Sequence, residues 1–134
     1  MDIFVKLLSS QHPDIVEQVI WGLGNIAGDG PRERDLVIKA GAVEAISDLL
    51  DRAPPNNRTF IRNASWALSN LCRSKPAPQF SKIVRAIPSL VRVLIENDQT
   101  EIISDICWAL SYISDGGQAQ IPHLIQANAL PRII

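Results

Sequence analysis

Residues 14–29 read DIVEQVIWGLGNIAGD. At about 100° of rotation per residue, Val16, Ile20, Leu23 and Ala27 form one narrow apolar stripe of a helix, and Gln18, Trp21 and Asn25 lie on the opposite side. A tryptophan ordinarily contributes through burial, so an indole set between two carboxamides on the face away from the core implies a surface made for contact.

The same arrangement returns twice. Asn63, Trp66 and Asn70 stand at identical spacing in FIRNASWALSNLCR (60–73), opposite Ile61, Ala64, Leu68, Leu71 and Cys72. Asp105, Trp108 and Tyr112 stand so in TEIISDICWALSYIS (100–114), opposite Ile103, Cys107, Leu110 and Ser114. The tryptophans at 21, 66 and 108 are 45 and 42 residues apart. A period in the forties built from helices is the signature of armadillo or HEAT solenoids.

Residues 1–8 read as a short helix, and Pro13 suits the first turn of the tryptophan helix, which runs to about Gly28. The glycines and proline of 28–31 stop it. A short helix at 33–39, closed by Gly41, precedes a medium helix at 42–52 with Val43, Ile46, Leu49 and Leu50 on one face. A loop at 53–58 leads to the long helix. The next unit repeats the order, with a loop at 75–78 and helices at 80–86, 88–95 and 100–114. After Gly116 and Gly117, helices are expected at 119–127 and 129–134. The reading is therefore a partial repeat at 1–30, full repeats at 31–74 and 75–116, and a partial repeat at 117–134. A fragment of a longer solenoid is expected, either self-associating or only marginally stable because Ile3, Phe4, Leu7 and Leu8 at one end and Leu130, Ile133 and Ile134 at the other lack their neighbouring repeats.

The 134 residues are 46% hydrophobic and 20% charged, the composition of a folded domain. No apolar run approaches the roughly 20 residues of a membrane span, and no secretory leader is legible. A net charge of −1 gives no general attraction for nucleic acid or anionic lipid. Cys72 and Cys107 fall on apolar stripes, outside any Cys-x-x-Cys or Cys/His cluster, and read as reduced core residues of a cytosolic or nuclear protein. Gly22, Gly24 and Gly28 follow no strand, so they form no phosphate loop; close helix packing explains Gly22 and Gly24 better. His12 and His123 lie in different repeats without catalytic or metal-binding company. No enzyme activity, metal or cofactor is expected.

In a solenoid the long helices line one concave surface, so the three triplets become parallel rows. The carboxamides of Asn25 and Asn70 can bond the N–H and C=O of an extended peptide without reading its sequence. Indole planes on adjacent helices leave slots for the methylenes of lysine or arginine and attract a cation by about 0.5–2 kcal/mol each. Asp29, at the carboxyl end of its helix, combines its charge with the negative pole of the helix dipole. The implied ligand is an extended, lysine-rich peptide.

The stretches VIWGLGNIAGD (19–29), NASWALSNLCR (63–73) and DICWALSYISDG (105–116) closely resemble the central armadillo repeats of the importin α family of nuclear-import adaptors. The resemblance covers nearly the whole chain and implies an all-α right-handed armadillo solenoid, non-enzymatic and shared between cytoplasm and nucleus. It implies recognition of lysine- and arginine-rich nuclear localisation signals by Gln18, Trp21, Asn25 and Asp29 in one repeat, Asn63, Trp66 and Asn70 in the next, and Asp105, Trp108 and Tyr112 in the third. Asp29 would pair with the signal's most critical lysine, and importin β would be a partner through a segment outside this chain. Tyr112 replaces an asparagine, so the backbone clamp ends before it, and Ser74 and Gly116 stand where Asp29 stands in its repeat. The alternative is a different armadillo scaffold, of adhesion or vesicle proteins, holding another extended peptide in the same groove.

Overall fold

The computed structural model describes residues 1–115. Among them run α1 (Asp2–Lys6), a 3-10 turn (Leu7–Ser9), α2 (Pro13–Asp29), α3 (Pro31–Lys39), α4 (Ala42–Arg52), α5 (Arg58–Cys72), α6 (Phe80–Ile83), α7 (Ala86–Glu96) and α8 (Thr100–Asp115), with no strand. Local chemistry sets the breaks. Pro13 and Pro31 open α2 and α3 at the first helical position, where a missing N–H costs nothing. Only Gly30 separates those two helices. Gly41 turns the chain between α3 and α4 with φ +94°, a left-handed conformation that glycine takes freely. Asn57 caps α5, its side-chain oxygen accepting from the Phe60 N–H at 3.3 Å.

The long helices α2, α5 and α8 pack side by side, and α4 and α7 form a second layer behind them. One continuous core fills the space between, with Ile20, Leu23, Ile46, Leu68, Leu90 and Ile106 fully enclosed. This is the expected all-α solenoid. The repeats are tied by polar contacts as well. Arg34 of α3 is 1% exposed, and its Nη1 donates to the carbonyls of Arg73 and Ser74 at 2.8 and 3.0 Å, just past the end of α5. In the second layer Arg85 donates to Asp48 and Asp51, each at 2.8 Å, and Arg92 to the Leu50 carbonyl at 2.9 Å, joining α7 to α4.

The structure departs from the sequence reading in several places. The helix expected at 80–86 ends at Ile83, and the next begins at Ala86 rather than 88. Pro88 therefore sits in the first turn of α7, whose N–H groups have no intrahelical partner to lose. The buried stripe of α8 is Ile102, Ile106, Ala109, Leu110 and Ile113, while Ile103, Cys107 and Ser114 are half-buried. Apolar pairs at 102/103 and 106/107 satisfy the helical period on two adjacent faces, and packing against α5 selects the first. Cys107 is thus only partly a core residue. Leu8, expected to be exposed, is 3% exposed beneath the start of α2. Gly24 is closely packed as expected, whereas a Cβ on Gly22 would meet nothing within 4 Å. The elements expected at 119–127 and 129–134, with His123, Leu130, Ile133 and Ile134, lie outside the described residues. No helix among the described residues is long and apolar enough to cross a membrane.

Candidate functional site

The three long helices present the predicted triplets at matching positions. On α2, Gln18, Asn25 and Asp29 are exposed and Trp21 is 54% exposed. On α5, Asn63 and Trp66 are half-buried and Asn70 is only 7% exposed. On α8, Asp105 and Tyr112 are half-buried beside Trp108, which is 59% exposed. Asp29 is the last residue of α2 and is exposed, so its charge stands at the negative pole of that helix.

Asn70 departs from the expectation of a free backbone clamp. Its Nδ2 donates to the Gly24 carbonyl at 2.9 Å, 46 residues away in sequence. The approach is open because α2 has no side chain at Gly24 and Gly28. A Cβ on Gly28 would stand 2.9 Å from the same Nδ2, and a Cβ on Gly24 would overlap the Trp66 ring at Cζ3. Asn70 and Trp66 therefore lean into α2, while the carboxamides of Gln18 and Asn25 stay in solvent. The sequence reading gave Gly24 close helix packing but not its partner Trp66, and gave Gly28 only the end of the helix. The available signal was their spacing, three and seven residues after Trp21, which puts both on the flank that meets the next repeat.

On α8 the Trp108 and Tyr112 rings stack with centroids 6.0 Å apart and planes inclined by 26°. Tyr112 thus widens an aromatic platform where the other repeats carry an amide. Burial pushes the Asp105 carboxyl above the usual carboxylate range, and the charge of Glu101 adds to this, opposed by Arg62. Arg62 itself pairs with Glu101 at 3.0 Å across α5 and α8.

The row is flanked by two hollows. Beside Gln18 lies an apolar slot of about 320 Å³ lined by Phe4, Ile15, Val19 and Gly22. At the carboxyl ends of α5 and α8 a wider one, about 810 Å³, is lined by Pro31, Arg73, Ser74, Lys75, Tyr112 and Asp115. Lys75 and Asp115 face each other there at 3.5 Å. Exposed indole faces attract cations, amides offer donor and acceptor together, and the carboxylate at the end of α2 suits an ammonium group. Among the described residues no three His, Cys, Asp or Glu side chains gather as a metal site would require.

Residues 1–28, 30–73 and 76–115 match the Armadillo/beta-catenin-like repeat model. The chain is 47% identical to importin subunit alpha-2 of Arabidopsis thaliana over 98% of its length and 24% of that protein's. It is 43% identical to importin subunit alpha-1b of Oryza sativa subsp. japonica, again over 98% of this chain and 24% of that one. Against the probable importin subunit alpha-A of Dictyostelium discoideum the identity is 39%, over 98% and 26%. The chain thus spans about a quarter of the length of these relatives. Among solved structures, a designed armadillo repeat protein in complex with the peptide (KR)4 superimposes with a TM-score of 0.85 and 28% identity, over 98% of this chain and 54% of that one. A second designed armadillo repeat protein gives 0.88 and 28%, over 99% and 55%. With matched repeats running through most of its length, the chain belongs to the armadillo/β-catenin-like repeat family.

Proposed function

We propose that this chain is a peptide-binding, non-enzymatic part of a nuclear-import adaptor, holding the lysine- and arginine-rich localisation signals of cargo proteins in extended form across α2, α5 and α8. The observation that carries the reading is the row of tryptophans on adjacent helices, two of them more than half exposed, leading to an exposed aspartate at a helix carboxyl end. The likeness to importin α proteins and to a designed relative bound to (KR)4 supports it.

In this reading Gln18, Asn25 and Asn63 bond the peptide main chain, which fixes its direction without selecting its sequence. The methylenes of lysine and arginine lie between the indoles of Trp21, Trp66 and Trp108, and cation–π attraction favours their charged ends. Asp29 takes the ammonium group of one lysine, and Asp105 offers a second carboxylate beside the Trp108–Tyr112 platform. Asn70 holds the register of α5 on α2 from beneath the bound chain. Work in cytoplasm and nucleus, and a partnership with importin β through a segment outside this chain, belong to the same proposal.

Anisotropy titrations with labelled peptides of equal length test it. Lysine-rich peptides are expected to bind, more weakly as salt rises, and glutamate-rich ones are not. Preference for an apolar or acidic peptide would instead assign the groove to another class of armadillo scaffold.

A further inference from the structure

Trp66 and Trp108 hold the same place in successive repeats, yet Trp66 is half-buried and Trp108 is 59% exposed. Trp66 alone lies on a helix packed between two long helices, and the long helix before each tryptophan carries a different residue three positions after its own. In α2 that residue is Gly24, and the Trp66 ring occupies the space its side chain would fill. A Cβ there would overlap Cζ3 and stand 3.0 Å from Cε3 and Cη2. In α5 the same position is Ser69, buried, with its hydroxyl bonded to the Trp66 carbonyl at 2.9 Å. A second contact lies one turn further on, seven positions after the tryptophan. Asn70 sinks beside Gly28 and reaches the α2 backbone, whereas Arg73 stands where Gly28 stands, and Tyr112 stays half-buried along Trp108.

We infer that Gly24 is a positioning residue that sets the depth of Trp66, and that Ser69, at the same place in α5, keeps Trp108 from sinking in the same way. A sunken indole offers a recessed floor and a raised one a freestanding wall. Successive slots along one peptide therefore differ in the side chain they take, although all are lined by tryptophan. The consequence for ligand choice rests on the peptide-binding reading; the depth of the ring does not.

The test uses the 134-residue chain with single tryptophans. Where only Trp66 is kept, by Trp21→Phe and Trp108→Phe, Gly24→Ser is expected to move its emission to longer wavelength and increase quenching by acrylamide. Where only Trp108 is kept, Ser69→Gly is expected to do the reverse. Gly22→Ser, on the same helix with open space around it, should change neither. With all tryptophans present, Gly24→Ser should weaken binding of a (KR)4 peptide about two- to fivefold, the worth of one exposed cation–π contact, and should have no further effect once Trp66→Leu is in place. Unchanged Trp66 emission in a folded Gly24→Ser chain, or an affinity loss that persists in full without Trp66, would overturn the inference. Failure of the wild-type chain to bind (KR)4 would remove the peptide reading and leave the emission shifts to decide the socket.

Discussion

Burying a guanidinium is unfavourable unless each donor finds an acceptor, and Arg34 meets that condition through the carbonyls of Arg73 and Ser74 and the Asp35 carboxylate, 3.0 Å from its Nε. Arg34→Met would keep the volume and remove both charge-assisted bonds to the chain just past the end of α5. Its unfolding free energy, measured by urea denaturation, should fall by about 2–4 kcal/mol, against almost no change for Arg32→Met on the exposed side of α3. The cysteines offer a second check. Burial pushes the Cys72 thiol up to about 12, against an opposing pull from Arg34, so the thiolate needed for alkylation is scarce at neutral pH. Iodoacetamide should label half-buried Cys107 first and Cys72 only on unfolding, which mass spectrometry of the digested protein would resolve. The tryptophan triplets were legible in the sequence because periodicity alone assigns a face. Arg34 was not, because an arginine in a short helix reads as a surface residue and nothing in local spacing names acceptors 39 and 40 residues away. Asn70 was placed on the right face but at the wrong depth, since depth depends on the glycines of another helix.

Between elements, the α4–α7 junction carries a charge cluster whose pH response has a definite sign. Burial acts to raise the Asp51 pKa, but hydrogen bonds from Arg85, Ser89 and Arg92 and the Arg85 charge outweigh it and bring the carboxyl below its usual 3.8. A carboxyl that is more acidic in the folded state adds stability that is complete above the unfolded value and is lost as pH falls through the folded one. Stability should therefore drop as pH is taken below 3.8, and Asp51→Asn should flatten that part of the profile in urea titrations at each pH. The bounds of α4, read as 42–52, were legible because Gly41 and the proline-containing loop mark both ends. The split between α6 and α7 was not, because Pro88 reads equally well at the first helical position and anywhere else in the first turn.

At the scale of the molecule, the fold was legible because one pattern occurs three times at a period in the forties, and a solenoid repeat buries its apolar face only against its neighbours. That rule has a consequence at the α1 side of α2. Phe4, 47% exposed, and Ile15, 40% exposed, line the apolar slot beside Gln18, and Ile3 of α1 is 76% exposed. An apolar face of this kind marks an interface or an aggregation site. Sedimentation at increasing concentration should show reversible self-association that Phe4→Ser and Ile15→Ser together reduce; a monomer at every concentration would contradict it. The central claim, that the tryptophan row with Asp29 at its end holds a basic peptide, is tested most directly by calorimetric titration of the chain with (KR)4, wild type beside Asp29→Lys. Saturable binding by the wild type and none by a natively folded Asp29→Lys protein is the predicted result, because a cation at the end of α2 replaces attraction with repulsion. Equal affinity of the two proteins for the peptide would contradict the account.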